Sequence, residues 1–303
     1  MFKHLIGAAA AAVAFAAMPA CAEPKPASPP ETATSDADPA LWVVKDADTT
    51  VYLFGTVHVL KPGLTWFDEA VKTAFDASDT LVLEMVEPDQ ATMGQLVAAK
   101  GINATGSSLT EQLPEGKRAA VAKAMTDAGV PAQAYERMKP WFAAVVATLA
   151  PVQKLGYVGA NGPEKVLTAA AKNASKKVDA LETAEQQLSI FDALPTKAQV
   201  TFLTSSVDQL PELPKTMESM VGTWAKGDPD GLARLMNDNL DDAPELEKAL
   251  LTDRNARWAE WIDKRMDQPG TVFMAVGAGH LAGGNAVQTM LAKHGLKAER
   301  VKY

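Results

Sequence analysis

Leu41-Trp42-Val43-Val44-Lys45-Asp46-Ala47-Asp48-Thr49-Thr50-Val51-Tyr52-Leu53-Phe54-Gly55-Thr56-Val57-His58 opens the ordered part of the chain. Its two β-branched and aromatic runs flank Asp46-Ala47-Asp48, which predicts a hairpin. The second arm runs into Gly55-x-x-His58, and a glycine at a strand exit permits a sharp turn and close backbone approach. The same arrangement returns near the other end, where Val272-Phe273-Met274-Ala275-Val276 leads into Gly277-Ala278-Gly279-His280. Two strands from opposite ends of the chain thus each deliver an imidazole just past a strand end, where α/β sheets bind ligands.

Working outward, Phe67, Ala70, Val71, Ala74 and Phe75 recur at i, i+3, i+4, i+7 and i+8, the spacing of a helix face. Thr80–Met85 reads as a strand carrying Glu84, and Val178–Leu181 as a strand ending at Glu182. Helical patterns fill about 89–175, broken before Pro140, and about 185–267, with breaks at Pro195, Pro211, Pro214 and Asp228-Pro229. Thr271–Val276, Gly283–His294 and Lys297–Lys302 read as strand, helix and strand, a βαβ-like unit. No solenoid-period repeat is present. The expected fold class is α/β (or α+β): a central mixed sheet built from both chain ends, with large helical insertions, in one domain over residues 41–303.

Two imidazoles and one or two carboxylates at one sheet edge form a donor set for a divalent metal ion: zinc, manganese or cobalt. His58, His280 and Glu84 are the candidate ligands. Burying Glu84 without a metal or a cation would be costly, whereas Glu87 precedes Pro88 and belongs to the following turn. His294, flanked by lysine at a helix end, is expected in solvent. Gly277-x-Gly279-x-x-Ala282 followed by Glu299 loosely fits a dinucleotide fingerprint, but the unit ends with the chain and no second mononucleotide half follows. H-E-x-x-H, G-x-S-x-G and Walker signatures are missing.

Taken together these motifs resemble the TraB/GumN family, which is related to the Tiki metalloproteases and more remotely to erythromycin esterases. Leu41–Leu60 is similar to its opening hairpin and first motif, and Ala180–Leu188 to its central L-E-T block. Arg254-Asn255-x-x-Trp258 is similar to its R-N-x-x-W helix, and Val276–Leu281 to its closing G-x-x-H block. The resemblance implies a peptidase-like hydrolase acting on a peptide or small-molecule substrate. In it Glu84 is third ligand or general base, Glu182 the other of that pair, and Arg254 a partner for an oxyanion or substrate carboxylate, supported by Asn255. A non-catalytic accessory protein of the cell envelope, binding metal, haem or peptide, is the alternative. Gly159-Ala160-Asn161-Gly162 departs from the family, which often carries an aspartate there. Arg254 and Asn255 are expected on a helix over about 244–266, with Arg254 buried against Glu182 or Glu84.

The chain's start points to export. Met1–Ala22 has a positive start, an apolar run over Leu5–Ala17 and small residues around Cys21, the layout of a secretory signal too short to span a bilayer. Cleavage after Ala22 would give a periplasmic or secreted protein. Acylation of Cys21 would instead give a lipoprotein touching the membrane only through its anchor; Met18 and Pro19 depart from the acylation motif. Residues 23–40 hold five prolines and almost nothing large and apolar, and are expected to be a disordered linker. Lys and Arg number 29 against 37 Asp and Glu, with no basic run longer than two, so nucleic acid is not an expected partner.

Overall fold

The computed structural model describes residues 35–237 and 244–303. The expected signal and most of the expected linker lie outside them. Strand β1 is Ser35–Asp36, β2 Leu41–Lys45, β3 Thr49–Thr56, β4 Leu64–Thr65, β5 Thr80–Met85, β6 Lys177–Glu182, β7 Gly270–Gly277 and β8 Glu299–Arg300. Among the described residues, six of them form one mixed sheet in the order β6-β5-β7-β3-β2-β8. Strands β6, β5, β7 and β3 are mutually parallel, and β2 and β8 are antiparallel additions at one edge. The expected hairpin is β2–β3, with Leu41 opposite Phe54 and Lys45 opposite Thr50. The Asp46 carboxylate closes its turn by accepting from the amides of Asp48 (3.1 Å) and Thr49 (2.8 Å).

Both faces of this sheet are covered, which is why β3, β5 and β7 read as nearly continuous apolar runs. The period-2 alternation separates the two layers. Phe54, Leu81, Phe273 and Ala275 face a cluster with Trp66, Trp224 and helix α1 (Glu69–Asp76). Val51, Leu53, Val82, Val272, Met274 and Val276 face Trp258, Ile262 and Leu291. Phe54 stands at the centre of an aromatic group, 5.5 Å from Trp66 and 5.7 Å from Phe273 between ring centroids. Such pairs add about 0.5–1.5 kcal/mol each beyond area burial. A separate helical layer packs on itself through α2 (Gln90–Gly101), α3 (Pro140–Lys154), α5 (Ala184–Asp192) and α6 (Thr196–Gln209); α4 (Pro163–Asn173) lies between α3 and β6 in sequence. Pro140 ends the preceding segment and opens α3 as its first residue, where its missing N–H costs nothing.

Two expectations about the ends need correction. Strand β8 pairs with β2, not with β7, so the last segment is not a βαβ unit. The physical reason is that β3 and β5 already occupy both edges of β7. Between them the α-helix is confined to Val287–Leu291: the extended Ala286 (ψ 155°) starts it, and Ala292–His294 continues it as a 3-10 turn. At the other end, Ser35–Ala40 are not spacer. β1 pairs with β4, the Ala37 amide donates to Thr65 O (2.9 Å) and the Asp38 amide to Ala225 O (2.8 Å), and Ala37 and Ala40 are buried.

Candidate functional site

The parallel strands β3, β5, β6 and β7 all end at the same edge of the sheet, and their ends carry the predicted residues. Thr56 is in register with Gly277, and Met85 with Glu182. His58 follows β3, Glu84 is the penultimate residue of β5, Glu182 ends β6, and His280 sits in the short 3-10 turn Ala278–Leu281 after β7. Adjacent parallel strands with the same glycine-exit motif therefore set the two imidazoles side by side. Gly277 lies between them. A Cβ on Gly277 would stand 3.0 Å from Glu84 Oε1, 3.5 Å from His58 Nε2 and 3.7 Å from His280 Cδ2. Glu84 Oε1, His58 Nε2 and the carbon edge of the His280 ring border the space above Gly277.

Each imidazole is held from behind by a different kind of group. His58 Nδ1 lies 2.7 Å from Glu164 Oε1, which also accepts from the Thr56 hydroxyl at 2.5 Å. Glu164 comes from the first turn of α4, reached through Gly162, where a Cβ would lie 2.3 Å from His58 O. Burial pushes the Glu164 carboxyl up, but His58 and Thr56 outweigh it and hold it below its ordinary value. His280 Nδ1 instead lies 2.6 Å from Asn255 Oδ1, while Asn255 Nδ2 donates to Asn285 O at 2.7 Å. His280 Nε2 is 2.9 Å from Arg254 Nη1. A guanidinium only donates and an amide oxygen only accepts, so this geometry assigns the proton to Nδ1 and the lone pair to Nε2. Burial and then Arg254 push the His280 pKa down to about 3, consistent with a neutral ring.

Arg254 joins the acidic residues. Its Nη2 donates to Glu84 Oε2 (2.6 Å) and Glu182 Oε2 (2.7 Å), and its Nε to both Glu182 oxygens at 3.0 Å. Its guanidinium lies 4.7 Å from the centroid of the Trp258 ring, whose ring in turn lies 4.3 Å from His280. Arg254 and Asn255 stand at the start of helix α9 (Asp253–Met266), directly after a π-turn over Lys248–Thr252. Glu84 completes the cluster: Oε1 accepts from the Gly277 amide at 2.6 Å and lies 3.6 Å from His280 Nε2. Burial alone would raise the Glu84 pKa; Arg254, His280, His58 and the Gly277 amide overcome it and hold the carboxyl well below the carboxylate range.

All six predicted residues thus meet at one sheet edge, but Glu182 is engaged elsewhere than expected. Arg254, Arg257 (3.3 Å) and Gln187 (3.2 Å) take up its oxygens, so it holds Arg254 instead of facing the gap over Gly277. Glu87 pairs with Lys165, and His294 with Asp263 at 3.0 Å. Asn161 donates to Leu60 O (3.3 Å) and lines a separate surface recess with Lys61 and Asp68. The carboxylate of that segment at His58 is Glu164, which the sequence reading missed. A glutamate in the first turn of a helix is too common to signal a site. Gln187 and the contact of Trp258 with His280 were missed for similar reasons.

Among the described residues, no group of three or more His, Cys, Asp or Glu side chains is arranged to hold a metal ion. Two imidazoles and a carboxylate are donor types that a divalent ion takes, but here the His280 Nε2 lone pair accepts from Arg254 Nη1 at 2.9 Å. Glu84 Oε1 and His280 Nε2 are separated by a distance two ligands of one ion can have, roughly 3–4.5 Å. His58 Nε2 faces the same gap, and a carboxylate or amide behind each imidazole is the usual support of a metal-binding histidine.

The profile described as the TraB/PrgY/gumN family matches residues 40–300. The chain is 23% identical over 254 residues to the uncharacterized protein YbaP of Escherichia coli K12, covering 84% of this chain and 92% of that one. It is 21% identical over 277 residues to an uncharacterized protein of Treponema pallidum, covering 84% and 80% respectively. No solved structure matches.

Proposed function

This chain belongs to the TraB/PrgY/gumN family, and from that premise we propose that it is an exported, metal-dependent hydrolase of peptide or related amide or ester bonds. The observation that carries the reading is the gap over Gly277, faced by His58 Nε2, Glu84 Oε1 and the His280 ring. His58, His280 and Glu84 would hold the ion. A divalent ion there would polarise a scissile carbonyl and bring the pKa of water towards neutrality. The rest of the work falls to the protein's own groups. Glu164 and Asn255 hold the two rings by their Nδ1 atoms; His58 Nε2 borders the gap, and an ion would take the place of Arg254 Nη1 at His280 Nε2. Glu84 stays ionised, as a ligand must. Glu182 holds Arg254 through Nε and Nη2, while Nη1 donates to His280 Nε2 and Leu250 O; displaced from His280 by an ion, Nη1 could meet negative charge on a substrate. The Met1–Ala22 signal supports an extracytoplasmic site of action.

One observation favours a second reading, a non-catalytic envelope protein that binds metal, haem or peptide. Arg254 satisfies Glu84, Glu182 and His280 together, so the acidic residues are paired without an added ion. The test is elemental analysis and calorimetric titration with zinc, manganese and cobalt, run beside hydrolysis of a peptide library. About one ion per chain, lost in His58→Ala together with turnover, is the expected outcome. Metal binding without turnover selects the second reading, and full occupancy in His58→Ala overturns the ligand assignment.

A further inference from the structure

Beside the gap over Gly277 lies a void of about 30 Å³, with room for a water molecule or a bare ion. Met217, Met220 and Met236 line it, together with His58, Val59 and Leu232. Helix α7 (Leu213–Ala225) carries Met217 and Met220 three positions apart, on one helix face. Met236 comes from α8 (Pro229–Asn237). The three methionines belong to one buried cluster, and each is at most 6% exposed. Gly279 makes room for the third of them: a Cβ there would lie 2.6 Å from Met236 Cε and 3.3 Å from its Sδ. The frame is tied down, since Trp224 Nε1 donates to Gly55 O at 2.7 Å and joins α7 to β3. Close-packed interiors leave few voids larger than a water molecule, and this one is bordered by three thioethers.

We propose that this void is a binding site for the soft monovalent ion Cu(I), held by the sulfurs of Met217, Met220 and Met236. The inference is independent of the hydrolase reading and goes beyond it. Two arguments select the ion. Thioether sulfur is a soft donor, which suits Cu(I), whereas imidazole and carboxylate suit zinc, manganese or cobalt. The three sulfurs are also neutral, so they leave the ion's charge in place, and a single buried charge costs less than a double one. Methionine, unbranched and with three rotatable bonds, lets sulfurs from two helices turn to a common point while the backbone stays fixed. His58 marks where this void and the gap over Gly277 adjoin: it lines the one, and its Nε2 borders the other. Soft donors thus stand on one side of His58 and hard donors on the other, which gives the two neighbouring spaces different metal preferences.

The experiment is an anaerobic titration of purified protein, labelled with ¹³C at the methionine methyls, with Cu(I) supplied as its acetonitrile complex and bicinchoninate as the competing chelator. About one Cu(I) per chain should bind. Binding should shift the Met217, Met220 and Met236 methyls and leave Met125, which lies in a different core cluster, unmoved. Met217→Leu, Met220→Leu and Met236→Leu conserve volume and so keep the fold. Each should weaken Cu(I) binding by about tenfold or more, whereas Met125→Leu should not. The triple variant should lose Cu(I) and keep the zinc affinity of the wild type. Cu(I) affinity that survives the triple variant, or saturation that leaves the three methyls in place, overturns the proposal. The two readings separate cleanly. Cu(I) bound through these methyls, in a protein with neither zinc binding nor turnover, leaves this site standing and removes the hydrolase. Zinc binding and turnover, without methyl shifts under Cu(I), remove this site alone.

Discussion

The two histidines enter through nearly the same local sequence, a strand followed by G-x-x-H, yet their surroundings are opposite. His58 is backed by a buried carboxylate, Glu164, whose Oε1 lies 2.7 Å from its Nδ1. His280 is backed by a neutral amide and faced by a guanidinium, which keeps it neutral. The motif fixes where an imidazole stands. What it does there depends on residues 25 to 106 positions away in sequence. One side of the site is tuned by an acid and the other by Arg254, and the gap over Gly277 lies where they meet.

Removing Arg254 should disturb this arrangement most. Arg254→Met leaves Glu84 and Glu182 buried without their main cation, and breaking such a pair costs about 3–5 kcal/mol. Urea denaturation should show a loss of that order, confined largely to the His280 side. A loss below about 1 kcal/mol would mean that water, not Arg254, solvates these acids. On the other side, Glu164→Gln keeps the shape but removes the charge behind His58. Loss of a supporting partner typically lowers metal affinity about 10–100-fold. A calorimetric zinc titration reads this directly, and an unchanged affinity would show that His58 needs no acid behind it.

The pH dependence separates the two rings. Unfolded, His280 titrates near its ordinary value of 6.5; folded, near 3. Between those values the unfolded chain holds a proton that the native one lacks. The stability contributed by a neutral His280 is therefore complete above about pH 6.5 and lost as the pH falls towards 3, at up to about 1.4 kcal/mol per pH unit. Glu84 and Glu164, both held below their ordinary values, add to the loss below about pH 4.5. Asn255→Asp would put an acid behind His280 as well, making the two sides alike. The native ring should then titrate higher, and the slope between pH 6.5 and 4.5 should shrink. NMR titration of the ring and denaturation across pH check both effects, and an unaltered slope would show that Asn255 does not set the state of His280.

Much of the sheet edge was legible because it rests on short-range patterns. The apolar runs of β3, β5 and β7, the glycine exits and the strand-end carboxylates are all visible over a few residues. Arg254 was legible because a buried guanidinium facing Trp258 needs an acid. What was not legible depends on long-range placement. Glu164 enters the site only because Gly162 lets α4 approach His58 O closely. Glu182 turns from the gap because Arg254 claims its oxygens. The pairing of β8 with β2 follows from β7 having no free edge. No local pattern encodes any of these.

The smallest expected effect is also the sharpest test of which residue supplies the acid on the His58 side. The family often carries an aspartate in the Gly159–Gly162 segment, where this chain has Asn161. If position 161 supplied that acid, Asn161→Asp would restore a missing ligand or support and raise metal affinity markedly. The geometry predicts otherwise. Asn161 Nδ2 reaches Leu60 O, and its side chain lines the recess with Lys61 and Asp68, while Glu164 already holds His58 Nδ1 at 2.7 Å. Replacing the amide by a carboxylate forfeits one weak surface hydrogen bond, worth about 0.5–1.5 kcal/mol. Zinc affinity should stay within about twofold. In the Glu164→Gln background, Asn161→Asp should likewise fail to rescue binding. Recovery of zinc affinity in that double variant would show that the segment can bring residue 161 to His58, and that the assignment of the acid to Glu164 is wrong.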